Sequence, residues 1–446
     1  VDSGALTEIV KNAKGTDESS KASLAQDKKK LYRMALNRIR TIMISLVLFF
    51  HCAASYQQDS AVFFLVQNLM RDWLVYVNAI LGDSGWPMFV FYTLAGYAAY
   101  HSLRVRSVKD FVDDRSLRLV PPIFFGIFVL EAFSIYLMYY MGREYLYRFF
   151  RYESFLDFYL KFYSNCFSLM ISECPYPRYV IGIYWYLIYL WVFCMLGIPL
   201  FQLWKKYPSP RLTTQKAKLL TVAGFLTLPF LVWGFDIAWY FSKDFSFLRL
   251  FSESNFYEYF FFIFFGFFLA WCQDAHEVLL DCCWYFVGFS IGMMPLLCHA
   301  HLSGLKYTRQ FDIMLLLNVF AVYMFLAVWA LAHKTLPYLP PYLAVPFDYI
   351  ADRAIAIYVL HYVVQCCVLV LLYYIRGDSF LNHNTLCHLL LHYILSYILT
   401  LALYETVFCW RYTQVFVGML RVSDIRPLST PTSSVAKSKP ARALPA

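Results

Sequence analysis

One apolar stretch combines two side chains that could do chemistry. Arg40–His51 reads RTIMISLVLFFH: an arginine, ten apolar or small residues, then a histidine. An ionisable ring at the end of a hydrophobic run is costly in a bilayer and marks a functional site by default. At 1.5 Å per helical residue, the imidazole stands about 16 Å above the guanidinium, near the middle of a hydrocarbon core about 30 Å thick. A neutral imidazole can take a proton near pH 7, which makes His51 the candidate general base. The competing assignments are a packing histidine for His51 and an ordinary snorkelling arginine for Arg40.

A second group lies in Pro87–Pro122, PMFVFYTLAGYAAYHSLRVRSVKDFVDDRSLRLVPP. Arg115 and Arg118 are three residues apart and share one face of a short helix. Two guanidiniums on one face can clamp a phosphate. Arg104, Arg106 and Lys109 read instead as a topology signal. Upstream, Ala95–Gly96 is a small-residue notch that lets a second helix approach closely.

The elements that would hold these groups follow from composition. Hydrophobic residues make up 60% of the 446 positions and charged residues 15%, with mean hydropathy +0.52. That excludes a soluble domain and predicts an all-α polytopic membrane protein. Ten apolar segments are expected to span: 39–57, 86–103, 120–141, 181–203, 218–241, 256–273, 281–300, 310–333, 352–375 and 385–409. They form one membrane domain over 31–420, with polar, disordered tails at 1–30 and 421–446. No cleavable leader is visible, and the first apolar segment is expected to act as a retained anchor. Most of the 38 Lys and Arg fall on the side of the termini, which places both termini in the cytoplasm and Arg40 at the cytoplasmic mouth. The net charge of +9 then reflects topology and an anionic lipid surface, not nucleic-acid binding. Loop 142–180 is the longest extracytoplasmic connection. Within it, YESFLDFYLKFY has the pattern of an interfacial helix, and Cys166 and Cys174 are close enough in sequence to bridge.

These blocks resemble the membrane-bound acyltransferase-3 family, closest to its branch of glucan succinyltransferases for osmoregulated periplasmic glucans. The likeness begins with arginine, ten residues and histidine in the first helix. It continues through FVFYTLAGY, RSLRLVPP, SFLDFY at 154–159, YWYLIYL at 184–190, YFFFIFFGFFLA at 259–270 and AIYVLH at 356–361, and ends with LYETVF and VGM between Leu403 and Met419. The resemblance implies a ten-helix enzyme that moves an acyl group from acyl-coenzyme A on the cytoplasmic side to a hydroxyl of a carbohydrate or other acceptor. By residue, it implies His51 as the catalytic histidine and Arg40, Arg115 and Arg118 as donor-binding groups. His361, Glu405 and Trp185 would line the site. Tyr184 departs from the branch, which has histidine before the tryptophan, and so does Arg353 at the start of the ninth helix.

Each of the later residues also has a plain reading. His361 could be a core histidine, Glu405 could neutralise a nearby arginine, and Trp185 could be interfacial packing. His388 and His392, and the pair His299 and His301, invite a metal reading, but the His-His pairs of histidine-box oxidases are missing, so no metal and no resident cofactor are expected. The alternative class is a transporter or flippase whose charges line a path. The bilayer is the expected surroundings, either a bacterial inner membrane or a eukaryotic endomembrane or plasma membrane.

Overall fold

A computed structural model describes residues 3–56, 77–140, 154–168, 181–242, 256–302, 310–376 and 385–420. The described residues form helices and turns with no strand. In lipid every backbone polar group must be satisfied within the protein, and a continuous apolar run of about 20 residues does so as a helix.

The helices are α1 (Ser3–Ala54), α2 (Trp86–Val105), α3 (Val108–Phe125), α4 (Ala132–Tyr140), α5 (Phe155–Ser168), α6 (Trp185–Lys205) and α7 (Gln215–Ser242). They continue as α8 (Phe256–Trp271), α9 (Gln273–Asp281), α10 (Cys283–Leu302), α11 (Gln310–Thr335), α12 (Pro341–Arg376) and α13 (Thr385–Leu403). Seven helices are long and apolar enough to cross a membrane. The pair α8 and α9, bent by 101°, makes an eighth if it is one span. All ten apolar segments of the sequence are helical. Of the other two, Cys283–His299 is too short for that measure, and α2 carries polar residues through its second half, His101, Ser102 and Arg104 among them.

Helix α1 begins at Ser3, so positions 3–30, expected to be a disordered tail, continue the first span as helix. The Ala, Lys, Glu and Gln of this stretch are strong helix formers, which composition read for polarity alone overlooks. The tail 421–446, most of loop 142–180 and the Cys166–Cys174 bridge lie outside the described residues. The interfacial helix expected in that loop is α5. It buries Phe158, Phe162 and Tyr163 against Ala132 and Ile135 of α4.

Two features position the interior. At the notch, α2 crosses α8 so closely that a β-carbon on Gly96 would overlap the carbonyl of Ile263, and one on Gly266 would overlap the carbonyl of Thr93. Between α1 and α12, Arg38 makes a two-point bond to Asp348, Nε to Oδ1 at 3.0 Å and Nη2 to Oδ2 at 3.1 Å. It also donates from Nη1 to the Leu336 carbonyl at 2.6 Å. Thr41 donates to the Phe347 carbonyl at 2.6 Å, and further along Gln365 donates to the Leu48 carbonyl at 2.9 Å. These bonds set α1 and α12 side by side and parallel. In lipid such contacts, together with close packing, hold helices together.

Candidate active site

The parallel register of α1 and α12 brings His51 to His361. Their ring centroids are 5.2 Å apart, tilted by 34°. His361 is fully buried. Its Nδ1 lies 2.7 Å from the carbonyl oxygen of Tyr358, one turn back on α12. A carbonyl only accepts, so this contact assigns the hydrogen to Nδ1 and leaves the lone pair of the neutral ring on Nε2. Nε2 is buried and has no hydrogen-bond partner among the described residues. His51, half-buried in the last turn of α1, is also flanked by Phe50 and by Tyr362, whose ring is 6.3 Å away. Two imidazoles in contact, one with a fixed tautomer, can accept a proton and pass it on.

Arg40 lies toward the other end of α1, and it differs from Arg38. It makes no hydrogen bond or ion pair among the described residues. Arg115 of α3, Tyr186 of α6 and Asp352 of α12 are within electrostatic reach of it. Arg115 is half-buried, sits 5.4 Å from the centroid of Phe111, and has no ion pair among the described residues. The arrangement thus holds two like charges near each other, with Asp352 as the one acidic group within reach of Arg40. An anion placed between them would relieve the repulsion. Tyr186 connects this cationic end to the histidines: its ring is 5.1 Å from Tyr358, and Tyr358 is 5.6 Å from His361.

The other residues singled out in the sequence are placed differently. The Nε of Arg118 donates to the Gly418 carbonyl at 3.2 Å, which ties α3 to the end of the turn Gln414–Val417. Helical spacing put the two guanidiniums on one face, but it could not show that the second would meet the C-terminal segment. Trp185 stacks on Tyr259 at 5.5 Å and 20°, one residue from Tyr186 but packed into an aromatic layer. Glu405 sits in a π-helical turn after α13. It receives bonds from Arg353 Nε and the Tyr349 hydroxyl, both at 2.6 Å, and Arg353 lies 3.6 Å over the Tyr349 ring. Glu405 therefore neutralises an arginine at the surface and is not gathered with the histidines. His392 is bound at Nε2 to the Gln365 carbonyl at 3.0 Å. Among the described residues, no three His, Cys, Asp or Glu side chains group as a metal site.

Tyr186 and Tyr358 join the site without having been singled out in the sequence, and Glu131 is within electrostatic reach of Tyr358. Tyr358 stands three residues before His361, on the same helix face. Glu131 is the lone acid in the apolar run 120–141, and an isolated acid in such a run is itself a signal. No protein-family model matches the chain, nor does any curated protein or solved structure.

Proposed function

We propose that this chain is a membrane O-acyltransferase. In this reading it has ten spans, with both termini and the Arg40 end of the bundle in the cytoplasm. The donor is an acyl-coenzyme A and the acceptor a hydroxyl of a carbohydrate or similar molecule. The supporting observation is a convergence. Unpaired Arg40 and Arg115 lie at one end of an aromatic line through Tyr186 and Tyr358, and the His51–His361 pair lies at the other. The resemblance to the acyltransferase-3 blocks points the same way.

The guanidiniums hold the anionic groups of the donor and direct its thioester toward the histidines. The acceptor oxygen bonds to the thioester carbonyl carbon and the carbon–sulfur bond breaks. The hydroxyl proton passes to an imidazole and from there to the departing thiolate, giving an ester and free coenzyme A. His51 is the base at the reacting hydroxyl, and His361, with Nδ1 anchored, presents Nε2 to the pair.

The test is His51→Ala in purified protein that retains its elution profile and thermal midpoint. Loss of a positioned base costs roughly 10²–10⁴ in rate, so transfer from labelled acetyl- or succinyl-coenzyme A should fall by at least a hundredfold. Transfer near the wild-type rate removes His51 from the role.

One observation favours a second reading, transport of a lipid-linked or glycan-linked substrate. Helices α8 and α9 form a sharply broken pair, and broken helices build transporter binding sites. Wild-type protein that binds no acyl-coenzyme A and turns none over would favour it.

A further inference from the structure

We infer that Glu131 positions the acceptor, and that the acceptor is polyhydroxylated. This rests on the acyltransferase reading. Glu131 closes the π-helical turn Gly126–Glu131 between α3 and α4 and is 3% exposed. Its Oε2 is buried without a hydrogen-bond partner among the described residues. A carboxyl in this condition is expensive to keep in a membrane interior.

Most of the surrounding hydroxyl donors are already committed. Tyr184, Tyr358 and Tyr362 are within electrostatic reach of Glu131. A phenol has one hydrogen to give. Tyr184 donates its hydrogen to the Val359 carbonyl at 2.9 Å, and Tyr358 donates to the Ile183 carbonyl. Ser134, one turn on, donates to the Leu130 carbonyl at 2.9 Å. The backbone is shaped around the carboxylate as well. Gly182 has φ +50°, and a β-carbon there would overlap both carboxylate oxygens. The fold therefore keeps a carboxyl oxygen without a hydrogen bond among the described residues beside hydroxyls of Tyr184, Tyr358 and Ser134 that donate elsewhere, next to a glycine turn at the head of α6. Hydroxyls brought by a ligand complete the set once that turn is displaced.

Tyr362 places this carboxyl relative to the chemistry. It is within reach of Glu131 on one side, and its ring is 6.3 Å from the His51 ring on the other. One hydroxyl of the acceptor is held at Glu131 while another reacts at the histidines about one tyrosine away. A sugar carries hydroxyls at such separations, whereas a simple alcohol has only the one that reacts.

The experiment uses full-length protein in nanodiscs with labelled acetyl- and succinyl-coenzyme A, and compares cellobiose with 1-butanol as acceptors. Wild type should prefer cellobiose. A hydrogen bond to a buried carboxyl is worth roughly threefold to tenfold. Glu131→Ala should therefore lower that preference, as a ratio of kcat/KM values, about threefold to tenfold through the KM for cellobiose. The KM for donor and the butanol rate should stay within twofold. Glu131→Gln, which keeps shape and a hydrogen-bonding oxygen, should lower the ratio less, and it decides the matter if the alanine variant does not fold. An unchanged ratio, or an equal fall for both acceptors and donor, overturns the role of Glu131. A wild-type protein that transfers to neither acceptor and cleaves neither thioester overturns the acyltransferase reading itself, and this inference with it.

Discussion

Arg38 and Arg40 are two residues apart on the same helix, yet their surroundings are opposite. At about 100° per residue they point to faces roughly 200° apart. Arg38 meets a carboxylate in two-point geometry and a carbonyl at a helix end, and is 5% exposed. Arg40 meets no carboxylate at bonding distance and stands near a second arginine. An unpaired charge in a protein interior is costly, so the contrast separates an arginine that ties two helices together from one that ties none among the described residues. The two acids repeat it. Glu405 is bonded by Arg353 and Tyr349, and Glu131 keeps an oxygen without a partner.

The comparison breaks most visibly at Arg40. Arg40→Ala or Arg115→Ala should raise the KM for acyl-coenzyme A by tenfold or more, and the double variant by less than the product of the two, because both act on one anion. Neither single change should lower the thermal midpoint, since each removes a like-charge repulsion. Initial rates against donor concentration, with differential scanning fluorimetry alongside, measure both. If Arg40→Ala unfolds the protein and leaves donor KM unchanged, Arg40 is a structural residue like its neighbour.

Arg38→Ala should do the reverse. It strands the Leu336 carbonyl and the half-exposed Asp348 carboxylate. Breaking a fully buried pair costs about 3–5 kcal/mol, and partial exposure of Asp348 reduces that to about 2–3 kcal/mol. The thermal midpoint should drop by several degrees, while donor KM in the folded fraction stays within twofold. A donor KM that rises tenfold in correctly folded protein would place Arg38 in the binding site and erase the distinction.

How much of this could be read in advance depends on what a residue's role requires. Helix positions were legible because an apolar run of this length in lipid must be helical, while seven of these helices, or eight with the bent pair, are long and apolar enough to cross. The close crossing at Gly96 was legible because a missing side chain is a local fact. Partners were less so. Spacing placed Arg115 and Arg118 on one face, but only the tertiary fold shows that Gly418, three hundred residues on, takes the second. The same holds for Arg38 and Asp348. The helical 3–30 stretch was hidden by reading polarity without propensity. Glu131 is a different case: an acid alone among apolar residues is visible in the sequence. Its environment of committed donors was not visible, because that is a property of Tyr184 and Tyr358, which lie 53 and more positions further on.

The smallest expected effect is at Glu405, and it sharpens the contrast because the family resemblance placed this residue in the site. The side chains of Arg353 and Glu405 are 23% and 39% exposed. Exposed ion pairs contribute about 0–1 kcal/mol. Tyr349 adds a hydroxyl bond to the same oxygen and a ring beneath the guanidinium, so Arg353 keeps a resting place if the acid is removed. Glu405→Ala should therefore cost less than about 1 kcal/mol and leave acyl transfer within twofold. The double variant with Arg353→Ala should show a coupling of the same small size in a double-mutant cycle. If Glu405→Ala instead cuts transfer tenfold with stability unchanged, Glu405 acts on the substrate, and a carboxylate already bonded to an arginine would have to be counted with Glu131, not against it.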